Sequence, residues 1–262
     1  HGFSDGVSEL VGEAAILTAL MGASLKFDGK LIFQARGEGD VKLLVADYRS
    51  NGAIRATATA TGGEGMRGLG DLMGKGHLAF TIDQGPDMDR YQGVTPIEGR
   101  TLSEAAVGYF DQSEQIPTAV KLAVGKVMRA GGGYEWRAGG IIAQFIPSEG
   151  GVRERGEAAL KTGADRETWD RAAAFLNSTQ ADELLDPSLS PEDLLYRLYH
   201  EDGVRVFDEQ PVIADCSCDA GKIAAVLSRY APEEIADLAD DGEIKVSCEF
   251  CRRDYFFDTN GI

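Results

Sequence analysis

Four cysteines are the residues of this chain whose types and spacing could do chemistry. They form two pairs, Cys216-Ser-Cys218 (the first pair) and Cys248-Glu-Phe-Cys251 (the second pair), with 29 residues between them and no cysteine upstream. Thiols at this spacing can wrap one edge of a tetrahedral ion, and two such pairs complete a four-sulfur shell for Zn²⁺. The pattern therefore predicts one zinc ion bound by Cys216, Cys218, Cys248 and Cys251.

Two functions fit such a site. It could be a closed structural zinc site that holds a small domain together, or a redox switch, because each thiol stands beside a possible disulfide partner. Cys-X-Cys is also less usual than Cys-X-X-Cys in purely structural zinc ribbons. A disulfide-scaffolded secreted protein is disfavoured, because its cysteines would be spread through a small domain. We therefore expect a reducing compartment, the cytoplasm.

The charge of the chain argues against a nucleic-acid partner. The formal net charge is −17, of which residues 1–150 carry −4 and residues 151–262 carry −13. Nucleic-acid binding needs a basic surface that displaces phosphate counterions. The most apolar stretch, Ala14 to Leu25, is too short to span a bilayer and is interrupted by Gly22. We interpret it as part of a buried core helix and expect no membrane partner.

The first 146 residues alternate irregularly between helix and strand patterns. Ser4 can cap a helix from about Asp5 to Ser24, and the capping box Thr101-Leu-Ser-Glu104 opens a helix that Pro117 closes. Irregular alternation favours an α+β fold over a doubly wound sheet. The predicted strands are Leu31–Ala35, Val41–Asp47, Ile54–Thr61, His77–Ile82, Arg90–Ile97, Ala119–Val124 and Gly140–Ile146.

Sequence signals for an enzyme are weak. Gly63-Glu-Gly65-Met-Arg-Gly68 fits the dinucleotide fingerprint by its letters, but the run before it is small and alternating, and we expect no helix to open at Gly68. A catalytic zinc ion usually keeps an open position, whereas four cysteines close the shell. A His-Glu-X-X-His motif is absent from the sequence. We predict that the protein is not an enzyme.

The composition changes after Pro147. Residues 149–166 have the pattern of a surface connection, and two amphipathic helices are predicted to follow, at Arg166–Leu185 and Pro191–His200, with apolar faces that pack on the N-terminal core. The tail has too few large apolar groups to fold without a staple, which zinc would supply. The predicted organisation is a mixed sheet-and-helix core, a helical linker and a small zinc-binding domain. The tail elements are a helix at Lys222–Arg229, another after Pro232, and strands at Glu243–Ser247 and Tyr255–Asp258.

Further segments lie in the order of a known family. They are Leu25–Gly29 (LKFDG), Tyr91–Val94 (YQGV), Tyr109-Phe110, Ser113–Pro117 (SEQIP), Ala138–Gly140 (AGG), Leu195–Glu201 (LYRLYHE) and Asp241–Ile244 (DGEI). Together with the cysteine spacing, they resemble the redox-regulated holdase chaperones of the 33-kilodalton heat-shock protein (33 kDa chaperonin) family. The resemblance covers nearly the whole chain. Family members usually begin before Ser4 and run beyond Ile262, so we expect this chain to be a fragment or a processed form.

The resemblance implies an ATP-independent chaperone that is inactive while reduced and zinc-bound. It implies that oxidation forms the disulfides Cys216–Cys218 and Cys248–Cys251, releases zinc and unfolds the linker, after which the protein dimerises and binds unfolding client proteins. The implied domains are a client-binding and dimerising core (1–162), a metastable linker (163–214) and a redox-switch domain (215–262). The alternative is a non-switching structural zinc-domain protein that docks a folded partner.

Apolar linker residues would be exposed when the linker unfolds. They could bind non-native proteins directly, or their release could uncover a groove on the core. The residue pattern does not decide between these two client sites. The candidate linker surface consists of Trp169, Phe175, Leu195 and Tyr199.

Overall fold

The computed structural model describes residues 1–25, 28–85, 88–146, 160 and 163–259. These residues form two compact units, one of residues 2–213 and the other of residues 214 onward together with His1. Strands and helices are mixed along the chain, so the predicted α+β fold is confirmed. The predicted domain bounds at 162 and 214 stay predictions.

The first unit is built around helix α1 (Asp5–Ser24), which has the bounds that the sequence predicts. The Ser4 hydroxyl accepts a hydrogen bond from the N–H of Val7 at 3.4 Å and caps the helix. The apolar stretch from Ala14 was predicted to be too short to span a membrane. The whole of α1, however, is long and apolar enough to do so by length and composition. Nine of its residues are buried in the unit, as expected for a core helix.

An antiparallel sheet forms the main layer beside α1. In the described part of the chain its strands are, in spatial order, β5 (Tyr91–Pro96), β4 (Gly76–Asp83), β1 (Lys30–Gly37), β2 (Val41–Arg49), β3 (Ala53–Ala60) and β8 (Ile213–Ala214). The large apolar side chains of β1, β2 and β4 pack with those of α1 in one core. The aromatic rings of Phe33 and Phe80 lie 5.1 Å apart between centroids within this core.

A long hairpin covers the other side of α1. It pairs β6 (Thr118–Met128) with β7 (Tyr134–Gln144), so both strands are longer toward the turn than predicted. A Cβ added at Gly12 of α1 would lie 2.7 Å from a methyl group of Val124 in β6. The helix is therefore held between two β layers, and both of its sides are used for packing.

Helix α2 (Gly68–Met73) corrects the expectation that no helix opens at Gly68. It is six residues long, and three of them, Leu69, Leu72 and Met73, are buried in the core. The strand before it, β3, pairs antiparallel with β2. A dinucleotide fingerprint requires a parallel βαβ unit, so this segment lacks the context of a cofactor site.

Helix α3 (Leu102–Tyr109) begins at the predicted capping box. The N–H of Glu104 donates to the Thr101 hydroxyl at 3.2 Å, and the Glu104 carboxylate accepts from the N–H of Thr101. The regular helix ends earlier than predicted, because Phe110–Glu114 continue it as a π-helical turn. Gln115, at φ 55°, ends this turn in the left-handed conformation.

Three helices lie between residues 163 and 199, where the sequence predicts two. They are α4 (Gly163–Ser178), α5 (Ala181–Leu185) and α6 (Pro191–Tyr199), so the predicted helix Arg166–Leu185 is broken at Thr179 and Gln180. The helices α4 and α5 pack on the β6–β7 hairpin, and α4 contacts α6. The greater part of the predicted surface connection, residues 149–166, lies outside the described residues, and residues 163–166 belong to α4.

The second unit is small. It contains α7 (Ala220–Leu227), α8 (Pro232–Leu238) and a hairpin of β9 (Glu243–Ser247) and β10 (Asp254–Asp258). Its core is a cluster of three buried side chains, Leu227, Ile235 and Ile244, with partly buried neighbours around them. So small a core is characteristic of domains that need a metal or disulfides to fold.

Candidate metal centre

All four cysteines lie in the second unit, and their Sγ atoms come within 4.8 Å of one another (the four-cysteine cluster). Each pair supplies one half of the cluster. The Sγ atoms of Cys216 and Cys248 are 3.7 Å apart, and those of Cys218 and Cys251 are 3.4 Å apart. Both of these contacts join the first pair to the second, although 32 and 33 positions separate the residues.

The second pair is positioned by the β9–β10 hairpin. Cys248 follows the last residue of β9, and its N–H donates to the carbonyl oxygen of Arg253 at 2.9 Å. The N–H of Arg252 donates back to the carbonyl oxygen of Cys248 at 2.8 Å, and Arg252 has a φ of 58°. This tight turn directs the sulfurs of Cys248 and Cys251 to one side.

The first pair is positioned by the start of α7. Asp219 directly follows Cys218 and is the N-cap of this helix, and its carboxylate accepts a hydrogen bond from the N–H of Lys222 at 3.1 Å. Ile223, on the first turns of α7, packs against the small core. The cap therefore fixes where the helix begins, and with it the position of the two cysteines just before it.

The donor set fits a tetrahedral zinc ion. With Zn–S bonds of about 2.3 Å, the sulfurs of such a site lie about 3.8 Å apart. The two measured contacts of 3.4 and 3.7 Å are near this value, and all four sulfurs share one cluster. Four thiolates are also the donor type that zinc prefers in closed sites.

The surroundings of the cluster disfavour the thiolate form of Cys218. A hydrogen bond from Tyr255 lowers the pKa of the Cys218 thiol. Desolvation and the hydrogen bonds with the other three cysteines have the opposite and larger effect, so that the pKa is raised to about 11. The first thiolate to form would lie beside three more sulfurs, with Arg253 as a nearby positive charge. A divalent cation removes this conflict, because it favours the deprotonated form of every ligand.

Tyr255 is the site residue that sequence reasoning missed. Its hydroxyl donates a hydrogen bond to the Sγ atom of Cys218 at 3.0 Å. Tyr255 and Phe257 are the half-buried positions of β10, in alternation with exposed ones. The predicted strand Tyr255–Asp258 already implied that Tyr255 and Phe257 share one face. A tyrosine hydroxyl on the inward face, close to the second pair, was the signal that could have identified this residue.

The predicted linker residues all lie in the first unit and are half-buried. Phe175 of α4 and Tyr199 of α6 approach each other with ring centroids 6.3 Å apart, and the Tyr199 hydroxyl donates to the carbonyl oxygen of Ala172 at 3.1 Å. These contacts hold α6 against α4. Trp169 and Leu195 belong to the same two helices.

A family model described as Hsp33 protein matches residues 1–258. The chain belongs to the Hsp33 family. The resemblance seen in the sequence is therefore confirmed. A 33 kDa chaperonin of Caulobacter vibrioides (strain NA1000 / CB15N) is 45% identical to this Hsp33 family member over 270 residues, which cover 100% of this chain and 86% of the relative. A 33 kDa chaperonin of Methylobacillus flagellatus is 34% identical, with coverage of 98% and 81%.

The fold is also that of a solved Hsp33 structure. The crystal structure of the 33 kDa chaperonin (heat shock protein 33 homolog) of Thermotoga maritima matches with a TM-score of 0.78 and 21% sequence identity. The match covers 99% of this chain and 85% of that chain. At this identity the likeness concerns the fold, which agrees with the α+β architecture described above.

Proposed function

We propose that this Hsp33 family member is a redox-regulated, ATP-independent holdase of the cytoplasm. In the proposed cycle it is inactive while reduced and zinc-bound. Under oxidative stress combined with heat it becomes a homodimer that binds unfolding proteins and prevents their aggregation. The observation that carries the proposal is a cluster of four oxidisable sulfurs in a unit with three buried core side chains. Neither catalysis nor a nucleic-acid or membrane partner forms part of this proposal.

The resting state follows from the ligand set. Bound zinc would hold Cys216, Cys218, Cys248 and Cys251 as thiolates and add a binding free energy on the order of 10–16 kcal/mol to the stability of the unit. The small hydrophobic core could not supply such a contribution. The fold of the second unit would thus depend on the redox state of its sulfurs.

Oxidation would remove the ligands. Two thiolates of one pair give up two electrons and become a disulfide, while one molecule of hydrogen peroxide takes up these electrons and two protons and becomes two molecules of water. Two peroxides convert both pairs. We propose the near-neighbour disulfides Cys216–Cys218 and Cys248–Cys251. Disulfides at this spacing close very short loops and so restore little long-range order, and the second unit would unfold.

The helices α4, α5 and α6 are the proposed metastable linker. Residues 151–262 carry a net charge of −13, so this part of the chain gains little electrostatically from staying compact. Its apolar side chains Trp169, Phe175, Leu195 and Tyr199 are half-buried in the resting arrangement. We propose that release of the linker exposes them as a client-binding surface, with the core of residues 1–162 as the dimerising part and the other possible client site.

The direct test is light scattering of a heat-unfolding client protein in the presence of this chain. The zinc-loaded reduced protein is compared with protein treated with peroxide at mild heat, and released zinc is measured in parallel. We expect suppression of aggregation only after zinc release. A variant with all four cysteines changed to serine is the control, in which peroxide should change nothing. Zinc that stays bound, or is lost with no gain in suppression, would favour a non-switching zinc domain that docks a folded partner.

A further inference from the structure

Tyr255 connects the two halves of the four-cysteine cluster. It lies on β10, next to the second pair, yet its hydroxyl donates to Cys218 of the first pair at 3.0 Å. The side chain of Arg253 is hydrogen-bonded to Tyr255. The hydroxyl is thus one member of a chain of polar contacts that runs from Arg253 to a sulfur of the cluster.

The hairpin holds the tyrosine in place. Tyr255 pairs with Val246 in the β9–β10 register. Beside it, Asp254 accepts a hydrogen bond from Ser247 and forms an ion pair with Lys245 at 2.8 Å. The ring therefore extends from a strand whose register is fixed by its pairing with β9 and by the contacts of Asp254.

We propose that Tyr255 is a positioning residue of the metal centre, which fixes the Cys218 sulfur as a ligand and protects it from oxidation. The inference rests on the proposed four-cysteine zinc site. A hydrogen-bond donor outside the ligand shell orients the ligand that it contacts, and its removal typically weakens metal binding. The donor also draws electron density from the sulfur, and a less nucleophilic thiolate attacks an oxidant more slowly.

The variant Tyr255→Phe removes the hydroxyl and keeps the ring. Tyr230→Phe is the matched control, because Tyr230 is a partly exposed tyrosine of the same unit and lies outside the cluster. Titration of reduced protein with Co²⁺ should show roughly ten- to one-hundredfold weaker binding by Tyr255→Phe. The sulfur-to-cobalt charge-transfer band should also shift to lower energy, because the thiolate loses a hydrogen bond that stabilises its electrons.

Peroxide treatment gives the second readout. Alkylation of the remaining thiols, followed by mass spectrometry, measures the oxidised fraction of each pair. In Tyr255→Phe we expect faster oxidation of the first pair relative to the second. A merely loosened fold would accelerate both pairs alike and would leave the cobalt band in place.

The outcomes separate this inference from the proposed function. If wild-type protein fails to bind Co²⁺ through its thiols, the metal site itself is wrong. If wild type binds Co²⁺ and Tyr255→Phe matches Tyr230→Phe in affinity, band position and ratio of oxidation rates, the role of Tyr255 is refuted while the metal site stands.

Discussion

The backbone carbonyl of Leu184, in α5, lies directly against Gly139, in β7, in the space that the Cβ atom of any other residue would need. A similar approach occurs on the neighbouring strand, where a Cβ at Gly125 would lie 3.1 Å from a methyl group of Leu185. Helix α5 therefore packs closely on the β6–β7 hairpin at two glycines, Gly139 and Gly125. This contact between α5 and the hairpin holds the proposed linker in its resting position.

Gly139→Ala should loosen the linker without touching the cysteines. The added methyl group would collide with the backbone of α5, and overpacking of this kind costs about 1–3 kcal/mol. We expect faster tryptic cleavage within α4 and α6, and suppression of client aggregation at lower peroxide or temperature. Gly131→Ala is the control, since a Cβ at Gly131 meets no atom within 4 Å. Equal cleavage rates for the two variants would show that α5 is not held by this contact.

Trp169 offers an optical probe of the linker. The chain has two tryptophans, so a Trp136→Phe background leaves Trp169 as the single source of tryptophan emission. Trp169 is half-buried in α4, and on oxidation at mild heat its emission should move to the longer wavelengths of a solvent-exposed indole. An unchanged spectrum alongside complete zinc loss would contradict linker release.

The disulfide pairing can be read directly from peptides. The two sulfur contacts described above run between the pairs, whereas the proposed disulfides lie within them. Trypsin can cleave after Lys222, Arg229 and Lys245, all between the pairs. Near-neighbour disulfides would leave the two pairs on separate peptides in a non-reducing digest. Two peptides joined by disulfides, which together carry all four cysteines, would instead indicate disulfides between the pairs.

Removal of metal should unfold the second unit even without oxidation. Under reducing conditions, a strong chelator would leave the unit with its three-residue core alone. We expect the amide protons of β9 and β10 to lose their protection from hydrogen exchange and to regain it when zinc is added back. Amides of β1 and β2 in the first unit serve as the internal control and should keep their protection. Retained protection in the hairpin would mean that the unit does not need the ion.

Glu13 should give the first unit a pH-dependent stability. Burial and the nearby Glu9 raise the pKa of Glu13 from 4.5 to about 7. A carboxyl group whose pKa is raised by folding stabilises the protein below its unfolded pKa, and this contribution is lost as the pH rises through about 7. Glu13→Gln should therefore flatten the decline in melting temperature between about pH 4.5 and pH 7. The exposed Glu64→Gln variant should keep the wild-type slope.

The parts of the fold that the sequence predicted well are those with strong local signals. Helix α1 has a capping serine and a long apolar repeat, and both hairpin strands of the second unit alternate clearly. The break between α4 and α5 was missed because its cap is unusual. There the N–H of Gln180 donates to the carboxylate of Glu183 at 2.9 Å, and glutamine is not a typical N-cap residue.

Other features depend on contacts between distant segments. Helix α2 is short and glycine-containing, and its three buried side chains stabilise it through the core rather than through helix propensity. The spacing of the four cysteines in the sequence was enough to predict that they form one site, because a zinc site requires only four ligand atoms. The hydrogen bond from Tyr255 required knowledge of which strand face meets the first pair.

The three-residue core of the second unit also has a kinetic consequence. Unfolding of this unit exposes little apolar surface, because few apolar side chains are buried in it. The unit can thus come apart without becoming an aggregation hazard itself, and its reassembly involves a short hairpin and two helices that form on the microsecond scale. The time needed to reset the proposed redox switch would then be set by the supply of reductant and metal, not by the folding of the unit.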